Sequence, residues 1–344
     1  TLAEIRPRGK SGDTMANPIK ETQKLGQSIW YDNVRRGLLT SGELAQLIKT
    51  GITGLTSNPT IFEKAISGSS DYDEALLALA LEGRSSEESF EAMALEDIRD
   101  VADLLRPVYD ATKGVDGYAS LEVSPTLAHD TDGTVAEALR LFSELDRPNV
   151  MVKVPATPEG IHAVEQLIGH GVNINVTLLF HLEAYRLVRE AYTTGLEHLV
   201  ETGGDPSKVA SVASFFVSRV DSAVDALLEL KIQNGESGFE HLLGKAAIAN
   251  AALAYRDFQE TVASDRFASL QTKGAQVQRP LWASTGTKNP AYSDVLYIES
   301  LIGPNTVNTT PPATLASFLD HGKARPTLVD SIAESERIMY DLSA

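Results

Sequence analysis

The sequence predicts an α/β fold, a single (β/α)8 barrel of the TIM type with additional helices. Eight short, apolar, β-rich runs are separated by longer stretches of helical pattern, which is the signature of βαβ units around a parallel sheet. Proline-marked helix starts fall just after several of these runs. No Pro/Gly/Ser-rich linker, low-complexity tract or solenoid-length repeat divides the 344 residues, so one large barrel is simpler than two average domains.

In chain order the predicted strands are 28–31, 54–56, 119–123, 150–154, 172–177, 210–216, 281–284 and 306–308. Helices are expected from Pro59 after Asn58, Pro158 after Thr157, and Pro311 and Pro312 after Thr310, because a first-turn proline gives up no intrahelical hydrogen bond. Two blocks, 86–113 and 238–263, read as long uninterrupted helices decorating the barrel, and 327–342 reads as a C-terminal helix. Residues 15–344 are assigned to the barrel. Residues 1–14, charged and Gly-rich ahead of Met15, are set apart as a disordered or expression-derived tail.

Composition narrows the function. With 42% hydrophobic and 22% charged residues the chain suits a globular core. Acidic residues outnumber basic ones 47 to 30, and the formal charge of -17 opposes non-specific attraction to nucleic acid or to an anionic membrane surface. A phosphate-bearing ligand would therefore need a local basic site. Cysteine is absent, which removes disulfides, thiolate metal sites and thiol nucleophiles. No apolar run approaches the roughly 20 residues of a membrane span, and no signal-peptide core is read, so a cytoplasmic protein is expected. No dinucleotide fingerprint, P-loop or HExxH pattern occurs, and Asp130-Thr-Asp132-Gly133 reads as a turn before a helix; no metal and no cofactor are expected.

In such a barrel catalytic groups sit at the C-terminal ends of strands, and here those ends are polar. Lys153 follows Met-Val on the fourth run, where desolvation would favour the neutral, nucleophilic amine that Schiff-base chemistry requires. A strand-edge lysine snorkelling to solvent is an equal reading from spacing alone. Asp32 and Glu122 close the first and third runs. Two differently placed carboxylates can divide the proton transfers of carbonyl addition and carbon–carbon cleavage, although either alone reads as a structural ion pair.

Asn58 reads both as a helix cap and as a substrate ligand. Asn175 and Thr177, two apart on one strand face, could orient hydroxyls or a water. Ser214 and Phe216 close the sixth run and Ser284 the seventh. Arg219 and Lys288 lie just past these runs, where late barrel strands commonly hold phosphate.

In combination, the motifs Thr56-Ser-Asn-Pro-Thr60, Val152-Lys-Val-Pro-Ala-Thr157, Asn173-Ile-Asn-Val-Thr-Leu-Leu-Phe180 and Ser214-Phe-Phe-Val-Ser-Arg219 resemble the transaldolase family. The resemblance runs from about Gln23 to Gly322 and is nearest the bacterial branch whose members are sometimes fused to glucose-6-phosphate isomerase. It implies transfer of a dihydroxyacetone unit in the non-oxidative pentose phosphate pathway, from sedoheptulose 7-phosphate or fructose 6-phosphate to glyceraldehyde 3-phosphate or erythrose 4-phosphate.

By the same resemblance Lys153 forms the Schiff base and Asp32 takes the C4 hydroxyl proton. Glu122 with Thr177 holds a proton-shuttling water, and Asn58 and Asn175 bind hydroxyls of the transferred unit. Arg219 and Ser284 hold phosphate, while Ser214 and Phe216 line the site. The chain departs from the family's pattern in two places. An Arg is expected two residues after the strand-seven Ser, whereas here Ser284-Thr-Gly-Thr precedes Lys288, and after Glu122 the chain reads Val-Ser where Val-Asp is common. A lysine aldolase releasing a free ketone and an inactive sugar-phosphate binder are the alternatives. The expected partners are sugar phosphates, with no nucleic acid or membrane, on a monomer or homodimer.

Overall fold

The computed structural model describes residues 17–343, so the segment 1–14 set apart above lies outside the described residues. Eight parallel strands close in sequence order: β1 (Gln27–Asp32), β2 (Gly54–Thr56), β3 (Tyr118–Glu122), β4 (Val150–Pro155), β5 (Ile174–Leu179), β6 (Ser211–Phe216), β7 (Arg279–Ala283) and β8 (Thr306–Thr310). β8 seals the barrel by pairing with β1 from Gln27↔Thr306 to Tyr31↔Thr310. Each predicted run is a strand, β2 with the expected bounds and the others with shifted ends. β8 continues past Asn308 because its polar tip is satisfied: Thr310 Oγ1 donates to Trp30 O at 3.0 Å, and the Thr309 and Thr56 hydroxyls meet at 2.6 Å. β5 starts two residues later than expected, since Asn173 instead pins three strand starts, donating to Pro148 O and Val150 O and accepting from Ala210 N–H.

Period-two alternation sorts the side chains. Val150, Val152 and Val154, like Ile174, Val176, Phe215 and Trp282, face the helix-covered core. Trp30, Tyr118, Met151, Val212, Leu281 and Val307 form a separate cluster inside the barrel. Lys153 lies two residues above Met151, so the alternation that buries the valines outward aims the lysine inward. Gly54 must lack a side chain, because a Cβ there would overlap the Trp30 indole. Below this layer Asp116 accepts from Ser28 Oγ and from Trp30 Nε1 at 2.6 Å, and Arg279 Nη2 lies 3.4 Å from it. This buried network closes the N-terminal end of the barrel.

The expected capping proline starts are present at Pro59, Pro158 and Pro312, with Asn58, Thr157 and Pro311 as N-caps. The first long block is helix Ser86–Ala111, opened by a Ser85/Glu88 capping box. Its uninterrupted reading needs correction: Pro107 sits inside it and removes one backbone donor, though the helix runs on for four residues. The second block is not one helix. Gly238 and Gly244 adopt positive φ around a short 3-10 turn, and the helix proper is Ala246–Val262. The C-terminal segment is parted at Ser331 into Thr327–Asp330 and Ile332–Ser343. Among the described residues no helix is long and apolar enough to cross a membrane.

Candidate active site

Lys153 is 7% exposed, and its Nζ donates to Ser57 O at 2.9 Å and lies 3.1 Å from Glu122 Oε2. The snorkelling alternative is thereby excluded, because the amine points into the barrel mouth. Register explains the meeting: Glu122 pairs with Lys153, and Lys153 with Asn175, so three inward side chains of β3, β4 and β5 share one level. Glu122 is close enough to take a proton from the amine or from a water beside it.

Asp32 ends β1 opposite Thr56, whose hydroxyl donates to Asp32 Oδ1 at 2.7 Å. Burial pushes the Asp32 carboxyl above the ordinary carboxylate range. The Thr56 hydrogen bond and the Lys153 and Arg219 cations pull it partly back, while the Glu122 charge pushes it up. A carboxyl raised in this way, facing a lysine across the mouth, suits the exchange of protons with a substrate hydroxyl better than a solvated one.

Asn175 is fully buried. Its Nδ2 donates to Ser120 Oγ at 3.2 Å and its Oδ1 accepts from Ser214 Oγ at 2.6 Å, which fixes the amide beside the lysine. Thr177 lies two residues higher on the same face and is 2% exposed. Just beyond it Leu178 has a φ of 62° and the β5–β6 register shifts, so the strand is bent where the site begins. Asn58 does act as a cap, its Oδ1 accepting from Ile61 N–H at 3.0 Å. The capping oxygen is thus committed, leaving the amide N–H2 as the group it can offer a ligand.

The wall opposite is built from β6 and β7. Arg219 lies over the Phe216 ring at 4.9 Å, and Phe216 packs on Phe180 at 5.1 Å. Ser284, with a φ of 55°, lies beside Ser218: the two hydroxyls are 3.0 Å apart, and Ser218 N–H donates to Ser284 O at 3.0 Å. Arg219 and Ser284 therefore stand at the ends of neighbouring strands, since Ser218, which bonds Ser284, immediately precedes Arg219. Lys288 does not join them in the same way. It is exposed and lines a hollow with Asp221, Asp225 and Glu229, carboxylates that compete with any anion for its charge.

Several contributors were not singled out from sequence: Thr56, which holds Asp32; the Ser57 carbonyl, which holds Lys153; and Ser120 and Ser218, which hold Asn175 and Ser284. For Thr56 a signal was present, since alternation with Gly54 turns it inward beside the end of β1. The carbonyl of Ser57 leaves no trace in a sequence. Among the described residues no group of three His, Asp or Glu side chains is arranged to hold a metal ion.

Fold and site together define a lysine-centred (β/α)8 barrel whose polar residues gather at the C-terminal mouth. The chain belongs to the transaldolase/fructose-6-phosphate aldolase family, whose model matches residues 29–343. It is 47% identical over 334 residues to a transaldolase of Trichodesmium erythraeum (strain IMS101), covering 95% of this chain and 88% of that one. To a transaldolase of Saccharopolyspora erythraea it is 50% identical over 333 residues, covering 96% and 89%. To transaldolase 2 of Streptomyces coelicolor it is 48% identical over 332 residues, covering 96% and 88%.

Proposed function

We propose that this chain is a transaldolase, moving a dihydroxyacetone unit between sugar phosphates through a Schiff base on Lys153. The observation that carries the reading is the Lys153 amine, buried at the mouth, 3.1 Å from Glu122 and facing Asp32.

The Lys153 amine attacks the C2 carbonyl of a ketose phosphate such as fructose 6-phosphate or sedoheptulose 7-phosphate. Glu122, with a water held by Thr177, moves protons as the carbinolamine forms and loses water to give a protonated imine. Asp32 then takes the C4 hydroxyl proton. The C3–C4 bond breaks, its electron pair passes into the imine to leave an enamine, and an aldehyde departs. Glyceraldehyde 3-phosphate or erythrose 4-phosphate next accepts the C3 carbon of the enamine, Asp32 returns its proton, and hydrolysis frees Lys153.

Asn175 and Asn58 hold the hydroxyls of the retained unit, and Ser214 and Phe216 line the pocket. Arg219 and Ser284 hold the phosphate, which gives an otherwise acidic protein its local anion site. Lys288 is the weaker candidate for a second cation because of its carboxylate neighbours. The barrel as one domain over 15–344 accords with a site drawn from the ends of seven of its eight strands.

The family description includes fructose-6-phosphate aldolase, so the acceptor decides between the two activities. Incubation with fructose 6-phosphate should yield sedoheptulose 7-phosphate only when erythrose 4-phosphate is added, with little free dihydroxyacetone in its absence. Steady release of dihydroxyacetone without acceptor would make the chain an aldolase.

A further inference from the structure

The turn that carries Arg219 also buries Asp221, which is 1% exposed and has no part in the chemistry above. One Asp221 oxygen accepts from Ala247 N–H at 2.7 Å, in the first turn of helix Ala246–Val262. The other accepts from the Tyr297 hydroxyl at 2.8 Å. Tyr297 is itself buried and lies in helix Leu296–Ser300, which ends the segment leaving Ser284. One carboxylate therefore joins the turn bearing Arg219, the helix behind it and the far end of the strand-seven loop.

The join is repeated one turn on, where Asp225 accepts from Gly244 N–H at 2.9 Å and from Tyr292 Oη at 2.8 Å. The same helix also reaches the mouth of β5, since Asn250 Nδ2 donates to Phe180 O at 2.8 Å. Phe180 packs on the Phe216 ring that underlies Arg219. Helix Ala246–Val262 is thus a brace behind the β6–β7 wall, and Asp221 is its tie to both sides of that wall.

We propose that Asp221 is a positioning residue for phosphate recognition: through Tyr297 and the start of helix Ala246–Val262 it sets the spacing between Arg219 and Ser284. The proposal rests on the reading of Arg219 as the phosphate ligand. A carboxylate serving stability alone would, when removed, affect every donor equally. One that sets the phosphate wall affects phosphorylated donors selectively.

The test compares Asp221→Ala, Asp221→Asn, Tyr297→Phe and Arg219→Ala in the full chain, with fructose 6-phosphate or unphosphorylated fructose as donor and unphosphorylated D-erythrose as acceptor, sedoheptulose being the product read in both cases. Asp221→Ala and Tyr297→Phe should raise KM for fructose 6-phosphate about tenfold, the scale of one lost hydrogen bond to a charged group. Their kcat and their rate with fructose should stay near wild type. Asp221→Asn keeps an acceptor for Ala247 N–H and should restore most of the affinity. If Asp221→Ala does not fold, Tyr297→Phe, which deletes one hydroxyl, decides alone.

An unchanged KM for fructose 6-phosphate, or an equal loss on both donors, would overturn the proposal. If Arg219→Ala itself spares fructose 6-phosphate, the phosphate reading falls and this proposal with it. If Arg219→Ala is phosphate-selective while the Asp221 and Tyr297 variants are not, only this proposal falls.

Discussion

Removing the Asp116 carboxylate should destabilise the protein without slowing the enzyme. Asp116 is 5% exposed and Arg279 7%, at the barrel end opposite Lys153. The carboxylate accepts from Trp30 Nε1 at 2.6 Å and from Ser28 Oγ, and Arg279 donates to Ser28 Oγ and to Val115 O, each at 2.8 Å. Asp116→Ala strands a buried guanidinium and an indole N–H, a loss of about 3–5 kcal/mol for one partner of a buried pair. That is a large share of the ~5–15 kcal/mol that holds a typical domain folded.

The assay is urea unfolding followed by circular dichroism, paired with kcat/KM on the folded protein. The urea midpoint should fall while kcat/KM is unchanged, because this face supports stability and the opposite face chemistry. Replacing both partners, Asp116→Ala with Arg279→Met, should recover much of the loss, since no charge is then left unpaired. A fall in kcat/KM alongside stability, or a double variant worse than the sum of the single ones, would refute the reasoning.

Two other substitutions follow from the site. Asp32→Asn should abolish cleavage yet stabilise the fold at neutral pH. Burial raises the folded-state pKa of Asp32 above the unfolded value of about 3.9, so its favourable contribution is complete below that value and is lost as pH rises through the folded pKa. The variant should therefore out-stabilise wild type at neutral pH and match it in acid, as read from urea midpoints across pH. The acid limb of wild-type kcat/KM should for the same reason lie above the ordinary carboxylate range. Asn175→Ala should cost about 1–3 kcal/mol of stability by leaving the Ser120 and Ser214 hydroxyls without their shared amide. It should also lower kcat/KM for fructose 6-phosphate, measured under the same conditions.

The sequence was most informative where a physical rule leaves a pattern. Alternation of Val150, Val152 and Val154 with Met151 and Lys153 marks both strand and site, because one periodicity sorts core from lumen. The Asn58-Pro59 and Thr157-Pro158 pairs mark helix starts because few residues can cap and few can follow the cap. Long-range pairing leaves no such pattern. Alternation turns Thr56 inward, but only the β1–β2 register makes Asp32 its acceptor, and nothing near Ser284 foretells Ser218, which the β6–β7 pairing brings beside it. In the 238–263 block a helical composition masks Gly238 and Gly244, whose positive φ values break it. Its role is not legible there, since the brace is made by long-range contacts with Asp221 and Asp225 of helix Ser218–Gln233 and with Phe180 just past β5.

The most direct test of the account is to incubate the protein with fructose 6-phosphate and borohydride and map any adduct by mass spectrometry. A reduced dihydroxyacetone adduct on Lys153, absent from Lys153→Ala, is the predicted result; an adduct on another lysine, or full turnover by Lys153→Ala, would contradict it.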